Sequence, residues 1–170
     1  IGDLPEDLSL HLFCDADFAG CPYALKSTNG CHADIQGPNS RFPWSAASKQ
    51  QTSIANSTPE AELDSLDQGM RMRGEPGLDI WEILLRRYRP DGLPLRINVQ
   101  EDNTTAIGCG RSGKNGVMTT LERGHGVALR WIHDKIRSGE YNLIHTGTAD
   151  QTADMYTKGI TNKDTFHRLR

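Results

Sequence analysis

The strongest constraint on the fold is a period of two that ends in acid. Leu8, Leu10 and Leu12 alternate with Ser9, His11 and Phe13 and lead into Cys14 and Asp15. Strand side chains alternate between faces, so the segment reads as a half-buried strand with Asp15 at its exit. The pattern recurs in Leu95, Ile97 and Val99, which run out at Glu101, Asp102 and Asn103. Asp102 thus mirrors Asp15 at a second strand end, where an Asp or Asn can cap the short turn holding Ala106 and Ile107. Between the two, after the Gly20–Pro22 turn, Cys31, Ala33 and Ile35 alternate, Gly37-Pro38-Asn39 turns the chain, and Phe42 to Ala47 offers a third strand. That order predicts an antiparallel meander.

The period then changes. Ser57-Thr58-Pro59-Glu60 carries helix-start chemistry: either Ser57 and Glu60 form a capping box, or Thr58 caps a helix with Pro59 in its first position. Both place Glu62 in the opening turns. Gly74-Glu75-Pro76-Gly77 is expected to break this helix, with Trp81, Leu84, Leu85 and Tyr88 as the apolar stripe of the next. Gly108 to Gly116 reads as a loop, and Leu129, Ile132 and Ile136 keep helical spacing up to a stop at Gly139. Tyr141, Leu143 and His145 make a last strand, and Thr148 with Gln151 suggests a second capping box starting a helix that carries Asp154. The expected class is α/β, a mixed sheet of an antiparallel meander plus parallel strands, flanked by helices.

A chain of 170 residues with 36% hydrophobic content fits one domain over residues 1–170. The 22 acids against 19 bases leave a net charge of −3, so any nucleic-acid contact must be local. Cys14, Cys21, Cys31 and Cys109 lack a close metal-ligand pair even with His32 nearby, and are expected to be buried small side chains. With no apolar stretch of membrane-spanning length, an intracellular, reducing setting is expected. The start at Ile1 and the stop at Arg170 within an amphipathic run suggest a fragment of something longer.

Two acids at strand exits and two on early helical turns are placed to converge where strands of an open sheet end. Carboxylates massed together repel unless hard divalent ions neutralise them, and Mg²⁺ prefers oxygen ligands while keeping waters for a substrate phosphate. A pair of such ions, about 3.5–4 Å apart, performs phosphodiester hydrolysis.

Local sequence sharpens this. Cys14-Asp15-Ala16-Asp17-Phe18-Ala19-Gly20-Cys21-Pro22 resembles the opening motif of the ribonuclease H of copia-type retrotransposons. Lys26 to Gly30, Trp44 to Gln51, Ser57 to Leu63, Asp102 to Ile107 and Gln151 to Lys158 resemble its later blocks in order. The resemblance implies a ribonuclease H-like fold, cleavage of RNA within an RNA–DNA hybrid, two Mg²⁺ ions with Mn²⁺ as substitute, and an upstream reverse transcriptase domain in the same polyprotein. Residue by residue, it carries the catalytic and metal-binding carboxylates onto Asp15, Glu62, Asp102 and Asp154. The chain departs from the family pattern with Phe18 where tryptophan is usual, Leu63 where tyrosine is usual, and Gly159 where proline commonly follows Thr157-Lys158.

Alternatives stand beside these assignments. Asp17 shares strand parity with Asp15, and Glu60 competes with Glu62 but already has a capping role. His145, before Asp154 at a strand end, is a candidate for proton transfer against a plain solvent-exposed reading. Lys49, Arg111, Lys114 and Arg123 are candidate substrate contacts against solvated-surface readings. Trp44, Trp81 and Trp131 offer stacking faces, although Trp81 and Trp131 lie on apolar helical stripes and fit the core better. Competing functions are a non-catalytic ribonuclease H-like docking module and a transposase or integrase nuclease on the same general fold.

Overall fold

The computed structural model describes residues 2–21, 23–85, 95–114 and 127–169. Five strands form one sheet: β1 (Ser9–Asp17), β2 (Thr28–Gln36), β3 (Arg41–Gln50), β4 (Ile97–Glu101) and β5 (Tyr141–His145), in the order β3-β2-β1-β4-β5. β1 and β2 pair antiparallel, as do β2 and β3, whereas β4 runs parallel to both β1 and β5. The meander and the mixed sheet are therefore present, and β1 ends beside β4, at the edge where both carry acids.

The alternation read in β1 sorts its residues between two layers. Leu10, Leu12 and Cys14 join Cys31, Ala33, Ile97, Val99, Tyr141 and Leu143 in one buried cluster under the helices. α1 (Thr58–Gly69) supplies Leu63 and Leu66 to that cluster, and α4 (Leu129–Ser138) supplies Leu129 and Ile132. α4 stops at Gly139, whose φ of 85° is the left-handed conformation that glycine adopts freely. On the opposite face, α5 (Asp154–Thr157) lies over β2; α6 (Lys163–Leu169) follows it.

Three expectations need correction. The chain does not break at Gly74-Glu75-Pro76-Gly77: α1 continues through a π-helical turn, Met70–Gly74, into α2 (Glu75–Leu85). Pro76 has no N–H to give, and the Met72 carbonyl accepts instead from Arg73 Nη1 at 2.9 Å. The glycines serve close approach here, since a Cβ on Gly74 would stand 2.5 Å from the Tyr141 hydroxyl and one on Gly77 2.8 Å from Trp44 Cζ2. Gly108 to Gly116 is not a loop throughout either. Asn103 accepts from the Thr105 and Ala106 N–H groups at 3.0 Å and starts α3 (Thr104–Ser112), which ends at Gly113 with φ 65°. Gly110 lets α3 settle against Leu143, Ile132 and Ile136. Residues 115–126, and with them Arg123, lie outside the described residues, as do Tyr88 and Pro22.

The third correction concerns Thr148 and Gln151, which do not form a capping box. Thr148–Asp150 is a single 3₁₀ turn, and the buried Gln151 amide donates to the Cys14 carbonyl at 2.9 Å and the Gln100 carbonyl at 3.5 Å. It ties the ends of β1 and β4 together. Smaller adjustments follow. Cys14 and Cys31 are buried register partners, but Cys21 and Cys109 are only half-buried, and all four are free thiols. Trp81 is core, while half-buried Trp131 packs at the core's margin with the Arg71 guanidinium 3.9 Å above its ring. Among the described residues no helix is long and apolar enough to cross a membrane.

Candidate metal centre

Asp15 enters the site because strand parity turns it away from the helix-covered core. Leu12 and Cys14 face α1, so Phe13 and Asp15 face α5. Asp15 is nevertheless buried. The Thr157 hydroxyl donates to its Oδ2, and Lys158 Nζ lies 3.3 Å from its Oδ1. Its partner in the β1–β2 register is Gly30, where any side chain would collide with α5. Ser65 on α1 donates to the Asp15 carbonyl at 2.7 Å and to the Gly30 carbonyl at 3.3 Å, locking the helix to these two strands.

Glu62 reaches the site from the first turns of α1. Ser57 caps that helix by accepting from the Glu60 N–H at 3.4 Å, and the Glu60 carboxylate accepts from the Asn56 N–H at 2.9 Å, one residue short of the reciprocal capping-box bond. Glu60 is thus spent on the helix start, and Glu62 is left to face Asp15. Asp102 follows β4 directly and accepts from the Thr148 hydroxyl at 2.8 Å. One carboxylate oxygen from each of Asp15, Glu62 and Asp102 lies within 4.8 Å of the other two.

The electrostatics fit a cation. Burial first, then the charges of Glu101, Asp15 and Asp102, push the Glu62 carboxyl up to about 10. Its Oε2 is buried with no hydrogen-bond partner. An all-oxygen donor set with an orphaned buried oxygen suits a hard divalent ion, which supplies the missing charge without a donor hydrogen. The residues present therefore fit a hard divalent cation at Asp15, Glu62 and Asp102.

Asp154 stands slightly apart from that trio. It opens α5 and is joined to Asp15 through Lys158, whose Nζ donates to Asp154 Oδ1 at 2.7 Å. Burial raises the Asp154 carboxyl; the Lys158 hydrogen bond works against this, and the Asp15 and Asp102 charges add to it. Among the other sequence candidates, His145 is exposed at the end of β5. Lys49 is exposed on β3 beside a cavity of about 200 Å³ that it shares with Asn29, Gln68 and Arg73. Arg111 donates to the Leu143 carbonyl at 2.7 Å from the last turn of α3, and Lys114 is exposed beyond that helix. Neither contacts the four carboxylates.

Sequence reasoning passed over two residues here. Glu101 is fully buried, accepts from the Asn103 N–H at 3.0 Å and leaves Oε2 without a partner. Burial raises its carboxyl well above the ordinary value; the Asn103 N–H opposes this, and the Asp102 and Asp15 charges add to it. Its parity with Ile97 and Val99 was the available signal. Lys158 sits four residues after Asp154, a spacing at which opposite charges meet on a helix.

Over 154 residues, 90% of this chain, the sequence is 30% identical to the retrovirus-related Pol polyprotein from transposon RE1 of Arabidopsis thaliana. The corresponding polyprotein from transposon RE2 of the same plant is 27% identical over 158 residues. The chain spans 10% of the length of each of these relatives. No protein-family model matches it. In structure it is similar to the RNase H1 of the halophilic archaeon Halobacterium salinarum, at TM-score 0.54 and 14% identity over 88% of this chain and 94% of that one. It is similar as well to LC11-RNase H1, a compost metagenome protein solved in complex with an RNA/DNA hybrid, at TM-score 0.55 and 12% identity over 88% and 94%. The five-stranded mixed sheet with carboxylates at its edge is thus a ribonuclease H-like fold, in a chain that is similar over 90% of its length to one segment of retrovirus-related Pol polyproteins.

Proposed function

We propose that the chain is a metal-dependent endonuclease that hydrolyses the RNA strand of RNA–DNA hybrids, the ribonuclease H step of copia-type retrotransposon reverse transcription. The observation that carries this reading is the convergence of Asp15, Glu62 and Asp102 oxygens within 4.8 Å, together with a buried Glu62 oxygen that has no hydrogen-bond partner. Asp15, Glu62 and Asp102 would hold Mg²⁺, with Mn²⁺ as a substitute, and Asp154 would complete the set for two ions. The chemistry such ions would supply there is a lowered pKa for a water nucleophile and neutralisation of charge on the phosphate.

The chain's own residues prepare the site. Thr148 fixes Asp102, Thr157 fixes Asp15, and Gln151 holds β1 and β4 at the separation the carboxylates need. Ligands held by such outer partners need little reorganisation when substrate arrives. Recognition of the hybrid rests on shape, phosphate and the 2′-hydroxyl rather than on base sequence. Lys49, beside the groove along α1, is the candidate phosphate contact, and His145 the candidate for proton transfer. With a net charge of −3 the grip is modest and salt-sensitive, so an upstream reverse transcriptase domain in the same polyprotein is the natural source of further affinity. The setting is intracellular: cytoplasm, virus-like particle or nucleus.

The test is cleavage of labelled hybrid at low salt with Mg²⁺ and then Mn²⁺, beside duplex DNA and duplex RNA. RNA fragments with 3′-hydroxyl and 5′-phosphate ends are expected from the hybrid alone, because water rather than the 2′-hydroxyl attacks phosphorus. Asp102→Asn keeps the shape and removes the charge, so cleavage should vanish while the fold persists. Efficient cutting of duplex DNA, cyclic phosphate ends or undiminished turnover in Asp102→Asn would refute the reading. Silence toward all three duplexes, with and without upstream sequence, would favour a non-catalytic docking module.

A further inference from the structure

The segment after Asp154 brings a cation of its own to the carboxylates. Lys158 reaches back from the end of α5 so that one ammonium group lies 2.7 Å from Asp154 Oδ1 and 3.3 Å from Asp15 Oδ1. Asp15 therefore serves two neighbours, belonging both to the trio with Glu62 and Asp102 and to the ion pair with Lys158. Asp15 is almost wholly buried, Asp154 is 14% exposed and Lys158 is 42% exposed. The anions are thus fixed while the cation is held by a flexible stem that can leave without disturbing the core.

We propose that Lys158 is a built-in counter-cation standing between Asp15 and Asp154, which must swing out before a divalent ion can bridge those two carboxylates. The inference rests on the metal-dependent reading of this site and adds an order to it. An ion at Asp15, Glu62 and Asp102 leaves the closer Lys158–Asp154 contact intact, whereas an ion shared by Asp15 and Asp154 competes with Lys158 for both of its carboxylates. The first ion binds tightly and the second weakly. The same contact steadies the metal-free protein, because Lys158 joins α5 to β1 and offsets charge that Asp15 and Asp154 would otherwise leave unopposed.

Calorimetric titration of the chelator-treated 170-residue chain with Mn²⁺, together with a spectroscopic count of bound Mn²⁺, tests this without reference to cleavage. Lys158→Met keeps the aliphatic stem and removes the charge, and Lys158→Gln serves as a second neutral variant. Both should tighten the second ion by at least about tenfold, the scale on which a neighbouring unit charge shifts such an equilibrium. They should leave the first ion nearly unchanged and lower the metal-free melting temperature. Lys158→Arg, which keeps the charge, should behave as the unaltered chain. Normal first-ion binding with an unchanged second ion in both neutral variants overturns the role of Lys158 alone. No Mn²⁺ binding by any of the proteins overturns the metal reading itself, and this inference with it.

Discussion

Gly30→Ala should disable the site through a single methyl group placed opposite Asp15. Gly30 pairs with Asp15 across β1 and β2, and α5 rests directly on it. A Cβ there would stand 2.5 Å from Thr157 Cγ2, 2.9 Å from the Ala153 carbonyl oxygen and 3.2 Å from Tyr156 Cβ. Carbon atoms settle near about 3.5 Å, so α5 must retreat by about 1 Å. The Ala153 oxygen is backbone, so rotation of Thr157 alone gives no relief. Overpacking of this kind costs about 1–3 kcal/mol. The functional loss should be larger, because the retreat carries Asp154, Thr157 and Lys158 away from Asp15, and a misplacement of about 1 Å can cost on the order of a hundredfold in rate. Gly77→Ala is the control: its Cβ would meet Trp44 Cζ2 at 2.8 Å, a comparable clash between α2 and β3 remote from the carboxylates. Urea denaturation and hybrid cleavage, measured on both variants, separate the two effects. Similar destabilisation with a rate loss confined to Gly30→Ala is expected; equal rates in the two variants would refute the positioning argument.

Three further outcomes follow from the structure. Glu62→Gln should raise the melting temperature in the presence of chelator and abolish cleavage, since a carboxyl pushed up to about 10 must take up a proton for the metal-free chain to fold at neutral pH, whereas Gln need not; a lower metal-free melting temperature would contradict the electrostatic account. Asp34 should govern stability in acid: burial works to raise its carboxyl, but hydrogen bonds from His32, Arg41 and Gln36 hold it below 3.8. A depressed folded-state value means stabilisation complete above 3.8 and lost as the pH falls below it. Urea titrations from about pH 5 to about pH 2 should therefore show a loss in the unaltered chain that Asp34→Asn, already about 2–3 kcal/mol weaker at neutral pH, does not repeat. Gln151→Ala should cost about 2–4 kcal/mol by leaving the Cys14 carbonyl buried without its donor and opening a cavity, measurable as a lower denaturation midpoint at unchanged slope.

The sequence by itself determined what is local. The alternation of Leu10 and Leu12, a helix start at Ser57 or Thr58, an Asp or Asn cap before Ala106 and the Gly139 stop needed only the geometry of one strand or one turn, and the structure has them as β1, the Ser57 cap, the Asn103 cap and the Gly139 stop. Motif order then singled out Asp15, Glu62, Asp102 and Asp154; the fold brings the first three side chains together, while Asp154 reaches Asp15 only through Lys158. Tertiary structure decided matters that depend on a partner distant along the chain. Gly74 and Gly77 look like helix breakers until Tyr141 and Trp44 are seen pressing on them, and Gly110 like loop until Leu143 and Ile132 close over it. In each case the backbone freedom of glycine favours a loop locally, but close packing against a distant side chain outweighs that preference. Gln151 was read as a cap from its spacing to Thr148, yet its amide is taken by the Cys14 carbonyl, a stronger claim because that oxygen is buried and has no water to satisfy it. The ion pair between Lys158 and Asp15 belongs to the same class. Spacing foretells an i,i+4 contact with Asp154, but only the fold of α5 onto Gly30 carries that ammonium to a carboxylate on another strand, because electrostatic contact depends on distance in space and not along the chain.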